Sequence, residues 1–207
     1  MKKILLALLA STFLYSVSFA EGMVGIKVGY GDLDGNRTES ADYGTQSGSV
    51  DSEYAAIFGE LKLPVAPVSL GVEIVPIDAI ISVDGNSADA SAKVTDYTTL
   101  YLLASKETGN GSVYAKLGYS HADVDVVSTY ATTTIVSHDD DLEGPMIGLG
   151  FQTNTDIAFA DVLRVEATYT DFDTMQISTT SNGGADSDTQ KGDAELVTVS
   201  ISLAKSF

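Results

Sequence analysis

The chain has 207 residues, no cysteine and a formal net charge of −18. Its length suits a single domain, and without cysteine no disulfide framework can hold it. The acidic balance argues against nucleic acid as a partner, because that binding needs basic patches. Nineteen glycines, ten tyrosines and many Thr, Ser and Val residues point to an all-β chain.

The N-terminus reads as an export signal. Lys2 and Lys3 precede an apolar run over residues 4–15, and Ser18 and Ala20 occupy the minus-three and minus-one places of a small-residue cleavage site. The expected division is a signal peptide over residues 1–20 and a mature domain over residues 21–207. The apolar run is shorter than the roughly 20 residues that a membrane helix needs. No later stretch approaches that length, so any span must be built from strands. Only helices and closed barrels satisfy every backbone polar group in lipid.

Alternation with period 2, the mark of a strand, recurs along the mature chain. Residues 23–31 place Val24, Ile26, Val28 and Tyr30 on one face, with Lys27 among glycines on the other. Residues 53–63 set Ile57 and Leu61 against Phe58, Glu60 and Lys62. Residues 68–83 begin with Leu70, Val72 and Ile74 opposite Glu73, and Pro76 predicts a bulge or register change there. Residues 95–105 are apolar on both faces, so Tyr101 and Leu103 cannot be assigned inward or outward. Residues 112–126 oppose Val113, Leu117 and Tyr119 to Tyr114 and Lys116. Residues 145–153 oppose Ile147, Leu149 and Phe151 to Gly148, Gly150 and Gln152. Residues 161–172 oppose Val165, Ala167 and Tyr169 to Arg164, Glu166 and Thr168. The last segment sets Val197, Val199, Ile201 and Leu203 against Thr198, Ser200 and Ser202, and ends at Phe207.

That makes eight strands, an even number as bacterial single-chain barrels require. Their connections alternate in length. Residues 64–67, 106–111 and 154–160 are short, whereas residues 32–50, 84–94, 128–143 and 173–193 are expected to be long loops. Short turns at one end and long loops at the other match the periplasmic and extracellular ends of an outer-membrane barrel.

The chain resembles the small OmpA/OmpX-type outer-membrane β-barrel proteins, which are often labelled porin-like. The resemblance is sharpest over residues 144–151, 163–173 and the terminal strand. It implies an eight-stranded antiparallel up-and-down barrel in the outer membrane. It also implies an inward-facing Arg164-x-Glu166 strand, tyrosines at the outer rim, and Phe207 as the signal read by the barrel assembly machinery.

The inward faces then carry Lys27, Glu60, Lys62, Glu73, Lys116, Arg164 and Glu166. Buried charges need partners, and eight strands leave an interior just wide enough for side chains. A luminal ion-pair network is therefore expected, with a narrow ion path as the sharper alternative. Among the loops, His138, Asp139, Asp140 and Asp141 with Glu143 form the densest acidic cluster. These residues are weak metal candidates, read first as a solvated turn. Asp32, Asp34 and Asn36 do not keep the spacing of a calcium loop. Ser120 and His121 are neighbours on a strand and point apart, so they cannot pair for nucleophilic catalysis.

The expected function is structural or surface-interacting: membrane integrity and the display of acidic extracellular loops. A narrow porin-like channel for small solutes or ions is the alternative, and an outer-membrane hydrolase is a distant third. The expected partners are outer-membrane lipids, lipopolysaccharide and the assembly machinery, around a monomer. A surface ligand is left unnamed. No cofactor, resident metal or catalytic residue is expected.

Overall fold

The computed structural model describes residues 21–64, 67–76, 79–84, 88–130, 133–157 and 159–207, less residues 39–44 and 181–186. The signal-peptide reading of residues 1–20 lies outside the described residues. No helix occurs among those described. The elements are β1 (Gly22–Thr38), β2 (Thr45–Lys62), β3 (Val68–Ile74), β4 (Ala79–Asp84), β5 (Ala88–Thr108), β6 (Gly111–Tyr130), β7 (Thr133–Ile157), β8 (Ala160–Thr180) and β9 (Ser187–Ser206).

Every neighbouring pair is antiparallel, in the order β3-β2-β1-β9-β8-β7-β6-β5-β4, and β3 also pairs with β5. That last pairing closes the ring. β3 and β4 both run along β5, β3 from Ala104 to Thr98 and β4 from Val94 to Asp89. They are two pieces of one stave, split at Val75-Pro76. The nine elements therefore make an eight-stave barrel. Proline cannot donate to a ladder, which is why the stave breaks there.

The break leaves a seam in the wall. β2 pairs with β3 only from Lys62 to Ile57, and among the described residues no ladder joins the rest of β2 to β4. Opposite the seam, β5 carries a bulge between Thr95 and Thr98, with Asp96 at a φ of 53°. Asp is among the few residues that tolerate this left-handed conformation. The added residue changes the phase of the strand. Val94 faces inward before it, and Tyr97 within it and Thr99, Tyr101 and Leu103 after it face inward.

Alternation decides which surface meets what. Val24, Ile26, Val28, Leu117, Ile147, Leu149, Val165, Val199 and Ile201 all point outward, and Leu149 is 70% exposed. Such a continuous apolar band is stable only against hydrocarbon. The undecided strand is settled by the same measure: Leu100 and Leu102 face out, and Tyr101 and Leu103 are buried inside. The expected long loops are a partial correction. The strands run on through most of residues 32–50, 84–94, 128–143 and 173–193 as paired ladders. Hairpins, rather than open loops, therefore stand at that end.

Candidate functional site: a charged layer beneath an apolar chamber

The interior near the short turns is polar. Arg164 on β8 donates from Nη1 and Nη2 to the two carboxylate oxygens of Glu60 on β2, at 2.6 and 2.8 Å. This bidentate fork is the strongest carboxylate geometry available to a side chain. Its Nε donates to Gln152 Oε1 at 2.9 Å, and the Tyr101 hydroxyl donates to Glu60 at 2.8 Å. The guanidinium also lies 5.4 Å from the Phe58 ring centroid and 5.1 Å from that of Tyr114.

A second set stands one step farther from the short turns. Lys27 donates to Glu73 and, at 2.6 Å, to Glu166. Lys116 donates to Glu166 at 3.0 Å and to Glu73 at 3.3 Å. The Tyr114 hydroxyl donates to the other oxygen of Glu166 at 3.0 Å. Lys116 Nζ lies 3.9 Å above the Tyr101 ring, within cation–π range. Three cations and three carboxylates thus cancel in a closed lattice drawn from five strands. All six charged side chains are buried, Arg164 to 3% exposure.

Lys62, expected in this lattice, is not part of it. It faces the same way as Glu60 but stands two residues farther on, at the mouth. There it is exposed and pairs with Glu21. That contact holds the Glu21 carboxyl below its ordinary range, through the hydrogen bond first and the charge second. The alternation gave the direction of Lys62; its depth in the barrel was not legible.

The tyrosines and Phe58 are the residues that pattern reading missed as site members. Each stands directly across from a glycine on the next strand: Phe58 from Gly25, Tyr54 from Gly29, Tyr101 from Gly71 and Tyr114 from Gly150. A Cβ built at any of these glycines would fall 2.3 to 2.5 Å from the ring. The rings lie flat over the glycines and fill the lumen. The available signal was the inward glycine itself, since such a residue in a strand marks a close approach.

Beyond the charged lattice the interior changes character. A cavity of about 120 Å³ is lined by Leu33, Val75, Val94, Met146, Phe172 and Leu196, with Glu73 and Lys116 at its floor. Ala122, Leu142, Phe172 and Ala194 form an apolar cluster at that level. Tyr54 on β2, Val75 and Tyr97 reach the same cavity, so it abuts the wall at the seam. On the opposite side of the lattice, at the short-turn mouth, lies a wider vestibule of about 860 Å³ bordered by Lys62, Lys106, Gln152 and Arg164.

At the long-hairpin end the outward face turns acidic. His121 on β6 places Nδ1 3.0 Å from Glu143 and Nε2 3.2 Å from Asp123. Ser120 points the other way, fully buried and 2.9 Å from Thr99 Oγ1. The Ser120–His121 divergence expected from alternation is what the strand adopts. His138, Asp139 and Asp140 fall on β7, but their side chains lie outside the described residues; Asp141 is exposed. At the seam between termini, Phe207 exchanges backbone hydrogen bonds with Gly22, at 3.0 and 3.1 Å.

No family model matches the chain, and no curated protein matches it. Solved structures do. The outer membrane protein OprG of Pseudomonas aeruginosa superposes with a TM-score of 0.58 at 14% identity, over 89% of this chain and 96% of OprG. The outer membrane protein AlkL, determined in lipid bilayers, gives 0.56 at 11% identity, over 91% of each chain. The fold is that of the small outer-membrane β-barrels, the architecture implied by the resemblance to OmpA/OmpX-type proteins.

Proposed function

We propose that this protein is an outer-membrane barrel that is closed to ions and holds small apolar molecules in its outer half. The observation that carries the reading is the division of the lumen. A neutral, fully paired charged layer lies under a chamber walled by Leu33, Val94, Phe172 and Leu196. An apolar guest would gain by leaving water there. The seam between β2 and β4 beside the chamber offers a sideways route to the outer leaflet, so the guest need not cross the charged layer. Outer-membrane lipid and lipopolysaccharide surround the staves, the assembly machinery reads Phe207, and the acidic hairpins face outward. Structural support of the membrane and display of these hairpins remain part of the role.

The experiment is binding of N-phenyl-1-naphthylamine, a small apolar fluorophore, to the folded barrel in nanodiscs. Saturable binding is expected, and Phe172→Asp should abolish it while the barrel stays heat-modifiable. Equal binding by both proteins would defeat the reading. A second reading, a narrow ion path, draws on the polar vestibule at the short-turn mouth; steady conductance of the unmodified barrel in planar bilayers would favour it. We propose no catalysis. Ser120 is turned into the barrel interior and His121 onto the outer face, so they support no shared reaction centre.

A further inference from the structure

The outward rim of the β6–β7 hairpin gathers side chains with metal-ligand chemistry. His121 stands across from Glu143, and Asp123 across from Asp141, in alternate rungs of the ladder. Alternation places all four on the outward face, just beyond Tyr119. Directly opposed side chains in an antiparallel pair sit about 4.5–5.5 Å apart at Cβ. Here the convergence extends to the ligand atoms: one from each of His121, Asp141 and Glu143 lies within 4.8 Å of the others. The Tyr119 hydroxyl donates to Glu143 Oε2 at 3.3 Å and leaves Oε1 turned to the imidazole.

We propose that His121, Asp141 and Glu143, with Asp123 at their side, form a surface site for a divalent transition-metal ion of the zinc or manganese type. Ligand character favours it: an imidazole nitrogen and two carboxylates bring one ligand atom each to within 4.8 Å of the others. The imidazole separates this place from the acids elsewhere on the rim. Carboxylates alone suit calcium or magnesium, whereas a mixed nitrogen and oxygen set suits first-row transition ions.

The test uses the full mature barrel, folded in nanodiscs and free of any histidine tag. Calorimetric titration with zinc, and pulsed electron paramagnetic resonance with manganese, read the site. The wild type should bind zinc saturably, and manganese should show nitrogen coupling from a single imidazole. Loss of an outer-shell partner alone costs roughly 10–100-fold in metal affinity. His121→Ala should therefore weaken zinc at least tenfold and erase the nitrogen coupling. Asp141→Asn and Glu143→Gln should weaken zinc with the coupling retained, and they carry the test if His121→Ala does not fold. His138→Ala, which removes the other histidine of the chain, should change nothing. Binding that survives His121→Ala, or coupling that vanishes in His138→Ala instead, would overturn the assignment, as would no zinc binding by the wild type.

Discussion

A glycine facing the lumen looks like a weakness in a strand, since it packs nothing and costs backbone entropy. In this barrel it is half of a pair. The Tyr101 ring occupies the space that a Gly71 side chain would need, with the would-be Cβ 2.3 Å from the ring. The same hydroxyl then reaches Glu60, and the same ring lies under Lys116. Gly71→Val should therefore expel the ring and disturb both charged sets. Overpacking alone typically costs about 1–3 kcal/mol, so the urea unfolding midpoint of the barrel in lipid should fall. Gly71→Val combined with Tyr101→Ala should lose less than the two single losses added together. Strict additivity would mean that glycine and ring do not act as a pair. At this scale the charges were legible in the sequence, because a lone Lys or Glu in an alternating strand has one tolerable side. Tyr101 was not. Leu100, Tyr101, Leu102 and Leu103 offer two apolar faces, and only the ring of staves decides which of them meets lipid.

Strand bounds follow a different rule from strand faces. Alternation fades where the wall leaves the hydrocarbon, yet the ladder continues, because backbone pairing needs no apolar side chain. β1 and β2 pair out to Thr38 and Thr45, well past the last exposed apolar residue. Pattern reading ended each strand at the membrane and so took these hairpins for loops. The break at Pro76 was legible, since proline has a fixed meaning in a sheet. The compensating bulge at Asp96 was not, because Thr95-Asp-Tyr-Thr98 carries no glycine to mark it. The closing strand makes a firm prediction. Phe207 is the last residue paired across the β1–β9 joint, with Lys205 and Asp161 bridged at 3.2 Å beside it. Lys205 sits at the short-turn end, where its ammonium reaches water. Removing Phe207 deletes two backbone hydrogen bonds at that joint and the terminal aromatic. The expected result is slower insertion, with unfolded chain accumulating in the periplasm. It is measured as the fraction of heat-modifiable protein in the outer membrane. Undiminished yield would show that the joint and its signal lie elsewhere.

Across the whole molecule, stability and the proposed closure rest on the same six charges. Taking them out of water is costly, and only complete pairing offsets that cost. Arg164 is the test of this coupling, because it holds both oxygens of Glu60 and the Gln152 amide at once. Arg164→Ala leaves Glu60 buried with only the Tyr101 hydroxyl as partner. Removing one half of a buried pair typically costs about 3–5 kcal/mol, and less where water enters the space left behind. The vestibule already reaches Arg164, so water should enter and the loss should fall toward the lower bound. The Lys27, Lys116, Glu73 and Glu166 set lies beyond and stays intact, so the rise in leak should be small. The expected outcome is a lower urea midpoint, a small rise in leak across planar bilayers and unchanged binding of the apolar fluorophore in the outer chamber. Unchanged stability with altered ion selectivity would instead mean that the lumen conducts and that its charges tune permeation. Loss of fluorophore binding would show that the two halves of the lumen are not independent, against the division on which the proposed function rests.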